Sequence, residues 1–239
     1  MNGLQRAIRR LGWKTRESIV YMGLTVPLEG DHITRPIFDQ LSWVGYETPE
    51  IEALLALVRS GDRILEAGVG LGVVSALAAK HFPDAKIRSY EANPMLIAPI
   101  QDLYRRNGLT TIDLRNEILV RGVAGDSHRT FYIHESFAES SLLEPEGGAA
   151  SVVSVPTENF EHVLSEFAPD VLVIDIEGGE EELLCAVDLT EIRVLVLELH
   201  PKVVSRQGIK EIYDSCAAAG LYPRCDLSTG NVVAFEKVT

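Results

Sequence analysis

The run Arg63-Ile64-Leu65-Glu66-Ala67-Gly68-Val69-Gly70-Leu71-Gly72 decides the fold. Its first five residues form a short, mainly apolar stretch bounded by Gly61-Asp62 and Gly68, the pattern of a buried strand. Val73 to His81 follows with small apolar residues at helical spacing and is closed by Pro83. A glycine-rich turn between a strand and a helix lies at the carboxyl edge of a sheet, where α/β proteins bind ligands. Glycine removes the Cβ, so the backbone can turn sharply and come close to a ligand. A tight turn with no ligand would use the same residues, so spacing must decide. A nicotinamide dinucleotide fingerprint, GxGxxG, needs a third glycine three residues after the second. That position is Val73 counted from Gly68-Gly70 and Ser75 counted from Gly70-Gly72, and both fail. Glu66 suits an ammonium-bearing amino-acid moiety, directly or through water, and would repel a pyrophosphate.

Downstream the alternation continues. Lys86 to Glu91 reads as a second strand, and Met95 to Arg106 as a helix stopping before Asn107-Gly108. Ile112 to Val120 contains a third strand, Arg129 to His134 an extra one, and a loop runs to about Ala150. Glu158 to Phe167 is predicted helical, Asp170 to Ile176 a strand, Glu180 to Val187 a helix and Arg193 to Leu199 a buried strand. Lys210 to Ala219 is a helix, and Leu221 to Phe235 holds two short strands around Ser228-Thr229-Gly230. Strands alternating with helices predict an α/β, doubly wound, mostly parallel sheet of seven strands, Rossmann-like, whose last strand runs antiparallel. Upstream, Glu50 to Arg59 is a helix entered through Thr48-Pro49, and residues 19–47 read as a hairpin or lid-like extension. The expected division is an N-terminal helix and hairpin extension over 1–48 and a ligand-binding domain over 49–239.

Composition fits this reading and excludes others. Apolar residues at 46% suffice for a sheet covered by helices, and a formal charge of −13 opposes an electrostatic nucleic-acid groove. Arg6, Arg9, Arg10, Lys14 and Arg16 cluster near the start, the pattern of one solvated face on an amphipathic helix packed by Leu4, Ile8 and Leu11, with contact to an acidic partner as the alternative. Cys185, Cys216 and Cys225 lack a CxxC spacing and read as reduced thiols. No window approaches the roughly 18–20 apolar residues that span a bilayer, and no signal peptide is evident. The expectation is a soluble, cytoplasmic protein with no membrane or nucleic-acid partner. Its oligomeric state is not legible.

Glu91 closes the second strand, where a carboxylate can accept hydrogen bonds from both hydroxyls of a ribose. A polar strand end with no ligand is the alternative. At this point the residues carry a resemblance. Gly45-Tyr46-Glu47, Glu66 to Gly72, Tyr90-Glu91-Ala92-Asn93-Pro94, Asp175-Ile176-Glu177-Gly178-Gly179-Glu180 and Glu198-Leu199-His200-Pro201 occur in one order. The chain resembles the FkbM family of S-adenosylmethionine-dependent methyltransferases over about residues 40–200. The resemblance implies a class I methyltransferase sheet and S-adenosyl-L-methionine as cofactor. It implies that Tyr46 and Glu47 close over the cofactor and that Gly68 and Gly70 line its amino-acid and ribose side. Glu91, with Ala92 and Asn93, would hold the ribose, and Asn116 would stand at the adenine. Glu66 stands where Asp is commoner in the family.

Methyl transfer from a sulfonium is an in-line displacement whose thioether leaves without a proton, so alignment and exclusion of water dominate. A hydroxyl acceptor also benefits from a base or an orienting carboxylate. Asp175, Glu177 and His200 are predicted at the right sheet edge, His200 having the intrinsic pKa of a base and Asp175 suited to orient the acceptor or to contact the cofactor's ammonium. A capping or core histidine beside Pro201 is the alternative for His200, and an anion near a helix N-terminus the alternative for the two acids. The three could offer oxygen and nitrogen to Mg²⁺ or Mn²⁺, but nothing in the sequence fixes their geometry and no metal is assigned. His134, Phe137, Ser140 and Ser141 are placed in a loop near the acceptor, or in a plain surface connection. The expected activity is O-methylation of a hydroxyl on a small molecule, a class that comes from the resemblance. N-methylation and a non-catalytic cofactor-binding regulator are the alternatives. The missing third glycine opposes a nucleotide-dependent oxidoreductase.

Overall fold

The computed structural model describes residues 13–122, 127–134, 140, 142 and 151–238. The basic run before Trp13, Phe137 and Ser141 lie outside the described residues. The strand β3 (Arg63–Ala67) is central in a sheet of order β11-β12-β10-β9-β3-β4-β5. Its partners are β4 (Lys86–Tyr90), β5 (Ile112–Arg115), β9 (Val171–Ile174), β10 (Val194–Glu198), β11 (Leu221–Pro223) and β12 (Val232–Lys237). β12 runs antiparallel to β10, and β3, β4, β5, β9 and β10 are parallel. This is the predicted seven-stranded doubly wound sheet.

Alternation along the strands sends successive side chains to opposite faces. Ile64, Ile87, Val171, Val173, Val194 and Val196 face one layer, packed by Ile51, Leu54, Leu77, Leu96 and Ile100. These come from α2 (Thr48–Leu57), α3 (Val73–His81) and α4 (Pro94–Arg106). Leu65, Leu172, Ile174, Leu195 and Leu197 face the other layer with Phe160, Leu184 and Ile212. Those belong to α5 (Phe160–Phe167), α6 (Glu180–Leu184) and α7 (Arg206–Ala218). Each fully buried Leu or Ile contributes about 1.5–3 kcal/mol, so the two covered faces anchor the strand ends.

Those ends set the site. In register, Ala67 stands opposite both Tyr90 and Ile174. The chain winds outward from β3 through β4 to β5, then returns to β9 on the other side of β3. The segments leaving β3 and β9 therefore diverge to opposite faces and open a crevice between them.

At the N-terminal end, β1 (Ser18–Tyr21) and β2 (Leu24–Pro27) form an antiparallel hairpin with Met22 and Gly23 at positive φ, the geometry a tight two-residue turn requires. Asn107, at the end of α4, pairs its side-chain amide with both backbone groups of Thr25 (2.8 and 3.0 Å). Tyr21, Leu24 and Val26 thus share the core of α3 and α4. A short helix α1 (Arg35–Asp39) runs into a π-helical turn (Gln40–Val44) that delivers Gly45, Tyr46 and Glu47.

The structure departs from the expected strand order after β5. Ile112 to Val120 divides into β5 and β6 (Ile118–Val120), and β6 leaves the main sheet. It pairs with β8 (Ser151–Asn159), which also takes β7 (His128–Ile133), making a second sheet of three strands. β8 was not anticipated: the sequence reading assigns residues 151–157, between the loop and the helix, to no element, although the valines of SVVSV are strand formers. Pro156 occupies the register position opposite His128, where pairing passes from β7 to β6. The helix predicted from Glu158 accordingly starts at Phe160.

Candidate functional site

Gly68, Gly70 and Gly72 all have positive φ (84°, 55° and 78°), a region that disfavours side chains with a Cβ. At Gly68 space is decisive as well, because a Cβ there would lie 1.6 Å from the Asp175 carbonyl oxygen. Glu91, at the tip of β4, holds this loop. Its Oε2 accepts from the backbone N–H of Val69 and Gly70 (3.1 and 3.0 Å), and its Oε1 from that of Asn93 (2.7 Å). Burial raises the Glu91 carboxyl, against the pull of those three donors. Leu71 N–H donates to the Tyr46 hydroxyl (3.3 Å). The Tyr46 backbone is itself clamped by Tyr21, whose hydroxyl donates to its carbonyl and accepts from its N–H (2.8 and 2.9 Å).

A cavity of about 600 Å³ lies over these strand ends, within the usual range for a small-molecule site. Gly68, Gly70, Glu91 and Ala92 form one side, and Asp175, Glu177 and Glu198 another. Tyr46, Glu47 and Glu50 cover it from the N-terminal segment, while Ile118, Phe131, Ser140 and Leu142 close the flank by the small sheet. No Lys or Arg occurs among the described lining residues, against acids on every side. Among the described residues a diphosphate has no Lys or Arg partner there. A ligand bearing a sulfonium and an ammonium is matched in charge.

Not every residue singled out in the sequence reaches the cavity. Glu66 is not among the lining residues: it is buried between β3 and β4 beside Ser75 and Tyr104, and its Oε2 accepts from Ser89 Oγ (2.6 Å). Burial pushes it up to about 7, while Ser89 and Ser75 pull down. Asn93 caps α4, its Oδ1 accepting from Met95 N–H (3.0 Å). Asn116 donates its amide to the carbonyls of Glu91 and Ala92 (2.8 and 3.2 Å) and so holds their backbone from behind. His134 stands outside the lining, its N–H donating to the Oγ of Ser140 (3.0 Å), which does line it.

His200 lies just behind the acid wall. Its Nδ1 is 2.5 Å from Glu180 Oε1, and its Nε2 is 3.2 Å from Glu177 Oε2 and 3.7 Å from Asp175 Oδ1. Burial alone would lower its pKa, but the hydrogen bonds and charges of Glu177 and Glu180 push it up to about 11. Burial, reinforced by Glu198, holds Asp175 well above the carboxylate range. Burial and Asp175 do the same to Glu47, whose partial exposure is to the cavity. Glu50 and Glu198 escaped the sequence reading. Glu198 is a strand-end acid like Glu91 and was open to the same argument. Glu50 falls in an amphipathic helix, where an acid reads as solvated.

The family model described as Methyltransferase FkbM domain matches residues 60–218. No curated protein matches the chain. Solved structures similar to it include an O-methyltransferase from Bacillus cereus in complex with SAH, 15% identical, covering 81% of this chain and 82% of that one at a TM-score of 0.48. Precorrin-6y C5,15-methyltransferase from Geobacter metallireducens is 15% identical over 79% of this chain and 87% of its own, with a TM-score of 0.46. Aeropyrum pernix fibrillarin, in complex with natively bound S-adenosyl-L-methionine, is 14% identical over 77% and 72%, at 0.40.

Proposed function

The chain belongs to the FkbM-domain methyltransferases, enzymes dependent on S-adenosylmethionine, and on that premise we propose that it methylates a hydroxyl group of a small molecule. The observation that carries this reading is the pairing, across one cavity, of the glycine loop at Gly68 and Gly70 with the carboxylates of Asp175 and Glu177. Bound S-adenosylmethionine supplies an electrophilic methyl carbon on sulfur. Gly68 and Gly70 bring bare backbone to its amino-acid and ribose side. Glu91 takes the ribose hydroxyls in this reading, with Ala92 beside it, and Asn93 and Asn116 fix the backbone of that segment. Tyr46 and Glu47 cover the cofactor and exclude water. Glu66 acts from behind, by tying β3 to β4.

At the acceptor end, Asp175 and Glu177 orient the hydroxyl along the line of attack. As its oxygen bonds to the methyl carbon and the carbon–sulfur bond breaks, its proton passes to a carboxylate of this pair. His200 joins both acids and keeps them together. Ser140 and Phe131 bound the acceptor on the small-sheet side, with His134 holding Ser140. An acid wall with no Lys or Arg among its described residues supports a small acceptor over a nucleic acid, whose phosphates it would repel. Among the described residues no helix is long and apolar enough to cross a membrane, and all three cysteines are free. Both facts support a cytoplasmic site of action.

The test is incubation of the full chain and S-adenosylmethionine with parallel sets of hydroxyl and amine acceptors, followed by mass spectrometry. A methylene mass gain on a hydroxyl oxygen is expected, together with S-adenosylhomocysteine. Methyl found only on nitrogen would give the reaction to amines. Tight cofactor binding with no product from any set would make the chain a binding protein.

A further inference from the structure

Beside the cofactor loop, three side chains from two neighbouring strand ends converge. Asp175 follows β9, Glu198 ends β10 and His200 lies two residues beyond. One ligand atom from each falls within 4.8 Å of the others. Ligands on opposite sides of a hard divalent ion, each at roughly 2.0–2.6 Å, stand about 4–5 Å apart. The cluster therefore has the span of a metal's ligand set without rearrangement of the backbone.

Two further features distinguish it from a group of repelling acids. The first is the orientation of His200. Its Nδ1 is fixed on Glu180 Oε1 at 2.5 Å, and the Glu180 side chain is 0% exposed. A buried carboxylate on one imidazole nitrogen is the outer support by which metal-binding histidines are aimed through the other. Here the other is Nε2, which faces the acid wall, 3.2 Å from Glu177 Oε2 and 3.7 Å from Asp175 Oδ1. The second is a set of carboxylate oxygens buried without a donor. Asp175 Oδ1 has no hydrogen-bond partner, and neither has Glu50 Oε2. Glu50 is only 5% exposed, lines the same cavity and lies against Glu198. Buried carboxylate oxygens are costly unless paired or bound to a cation, and no Lys or Arg stands among the described residues of this wall.

We infer that Asp175, Glu198 and His200 bind one divalent cation of the Mg²⁺ or Mn²⁺ type at the acceptor end of the cavity. Two carboxylates and a neutral imidazole suit such ions: the cation displaces to solvent the proton that Nε2 shares with Glu177 and Asp175, and the remaining positions are open to water and to the acceptor. The inference deepens the O-methyltransferase reading and rests on it for its role. The ion would draw the acceptor hydroxyl into place and lower its pKa, so that Glu177 takes the proton as oxygen bonds to the methyl carbon.

The experiment titrates Mn²⁺ into EDTA-stripped, full-length protein, without cofactor or acceptor, followed by electron paramagnetic resonance and calorimetry. One ion per chain is expected at micromolar affinity. Glu198→Gln should weaken it by about tenfold or more, and Asp214→Asn, on the exposed side of α7, should leave it unchanged. Thermal unfolding establishes that each variant is folded. Should Glu198→Gln not fold, Asp175→Asn replaces it with the same expectation. Binding only at millimolar concentration, or a folded variant that binds like the wild type, overturns the inference. Methyl transfer to a hydroxyl at full rate in EDTA removes the ion and leaves the proposed function standing. Stoichiometric Mn²⁺ binding without any hydroxyl methylation leaves the ion and removes that function.

Discussion

The carbonyl oxygen of Asp175 sits where Gly68 would carry its Cβ, 1.6 Å from that ideal position. The backbone of the cofactor loop and that of the acid wall are in direct contact, and Asp175 N–H also donates to Ala67 (2.9 Å). The two halves of the site are thus held by main chain, and a change on one side displaces the other.

Gly68→Ala tests that contact. The substitution adds an overlap with backbone and a side chain at φ +84°, so the protein should lose roughly 2–5 kcal/mol of stability. Urea unfolding measures this. A midpoint within error of the wild type would show that the loop relaxes freely.

Glu91→Ala removes the acceptor of three backbone N–H groups and the proposed ribose ligand. Affinity for S-adenosylmethionine should fall about tenfold, equivalent to about 1.4 kcal/mol. Calorimetry on the folded variant reads this directly, and unchanged affinity would leave Glu91 a purely structural residue.

Tyr21→Phe leaves the Tyr46 N–H and carbonyl without their partner in a buried setting. A cost of about 1–3 kcal/mol is expected, with cofactor affinity weakened several-fold because Tyr46 and Glu47 lose their anchor. Because Tyr21 is absent from the cavity walls, equal affinity in variant and wild type would show that the hairpin does not position them.

His200→Asn keeps a donor toward Glu180 while removing the group that joins the acids of the wall. Turnover should fall by about 100-fold with cofactor affinity little changed, since His200 does not line the cavity. Steady-state kinetics beside calorimetry separates the two effects. Loss of affinity with turnover intact would move His200 to the cofactor side.

Glu66 gives a pH signature. Its folded pKa of about 7, against an ordinary 4.5, means the folded state keeps a proton that the unfolded state has lost. Its contribution therefore makes stability fall as pH rises from about 4.5 to 7, and flat on either side. Glu66→Gln mimics the protonated carboxyl toward Ser89 and Ser75 and removes repulsion from Glu91. Above pH 7 it should exceed the wild type by up to about 3 kcal/mol, a difference vanishing near pH 4. A constant difference across that range would refute the shift.

The sequence alone determined the frame. RILEA followed by three glycines and VVSALAAKH could only be a buried strand, a bare turn and a covering helix, because apolar run length, missing Cβ atoms and helical period are local properties. The strand-end acids Glu91 and Asp175 and the doubly wound order followed from the same periodicities. What tertiary structure decided was which polar groups meet. β8 exists because β6 and β7 pair with it from two sides, and no local signal in SVVSVPTEN encodes partners that far apart. Glu66 was turned away from the cavity by the alternation of β3, and Glu50 was brought into it by the packing of a helix whose pattern reads as solvated. The setting of His200, fixed by Glu180 and facing Asp175, depends on how far β9 and β10 each extend beyond the sheet. Distances between strand ends are set by register and packing, which residue spacing along the chain does not contain.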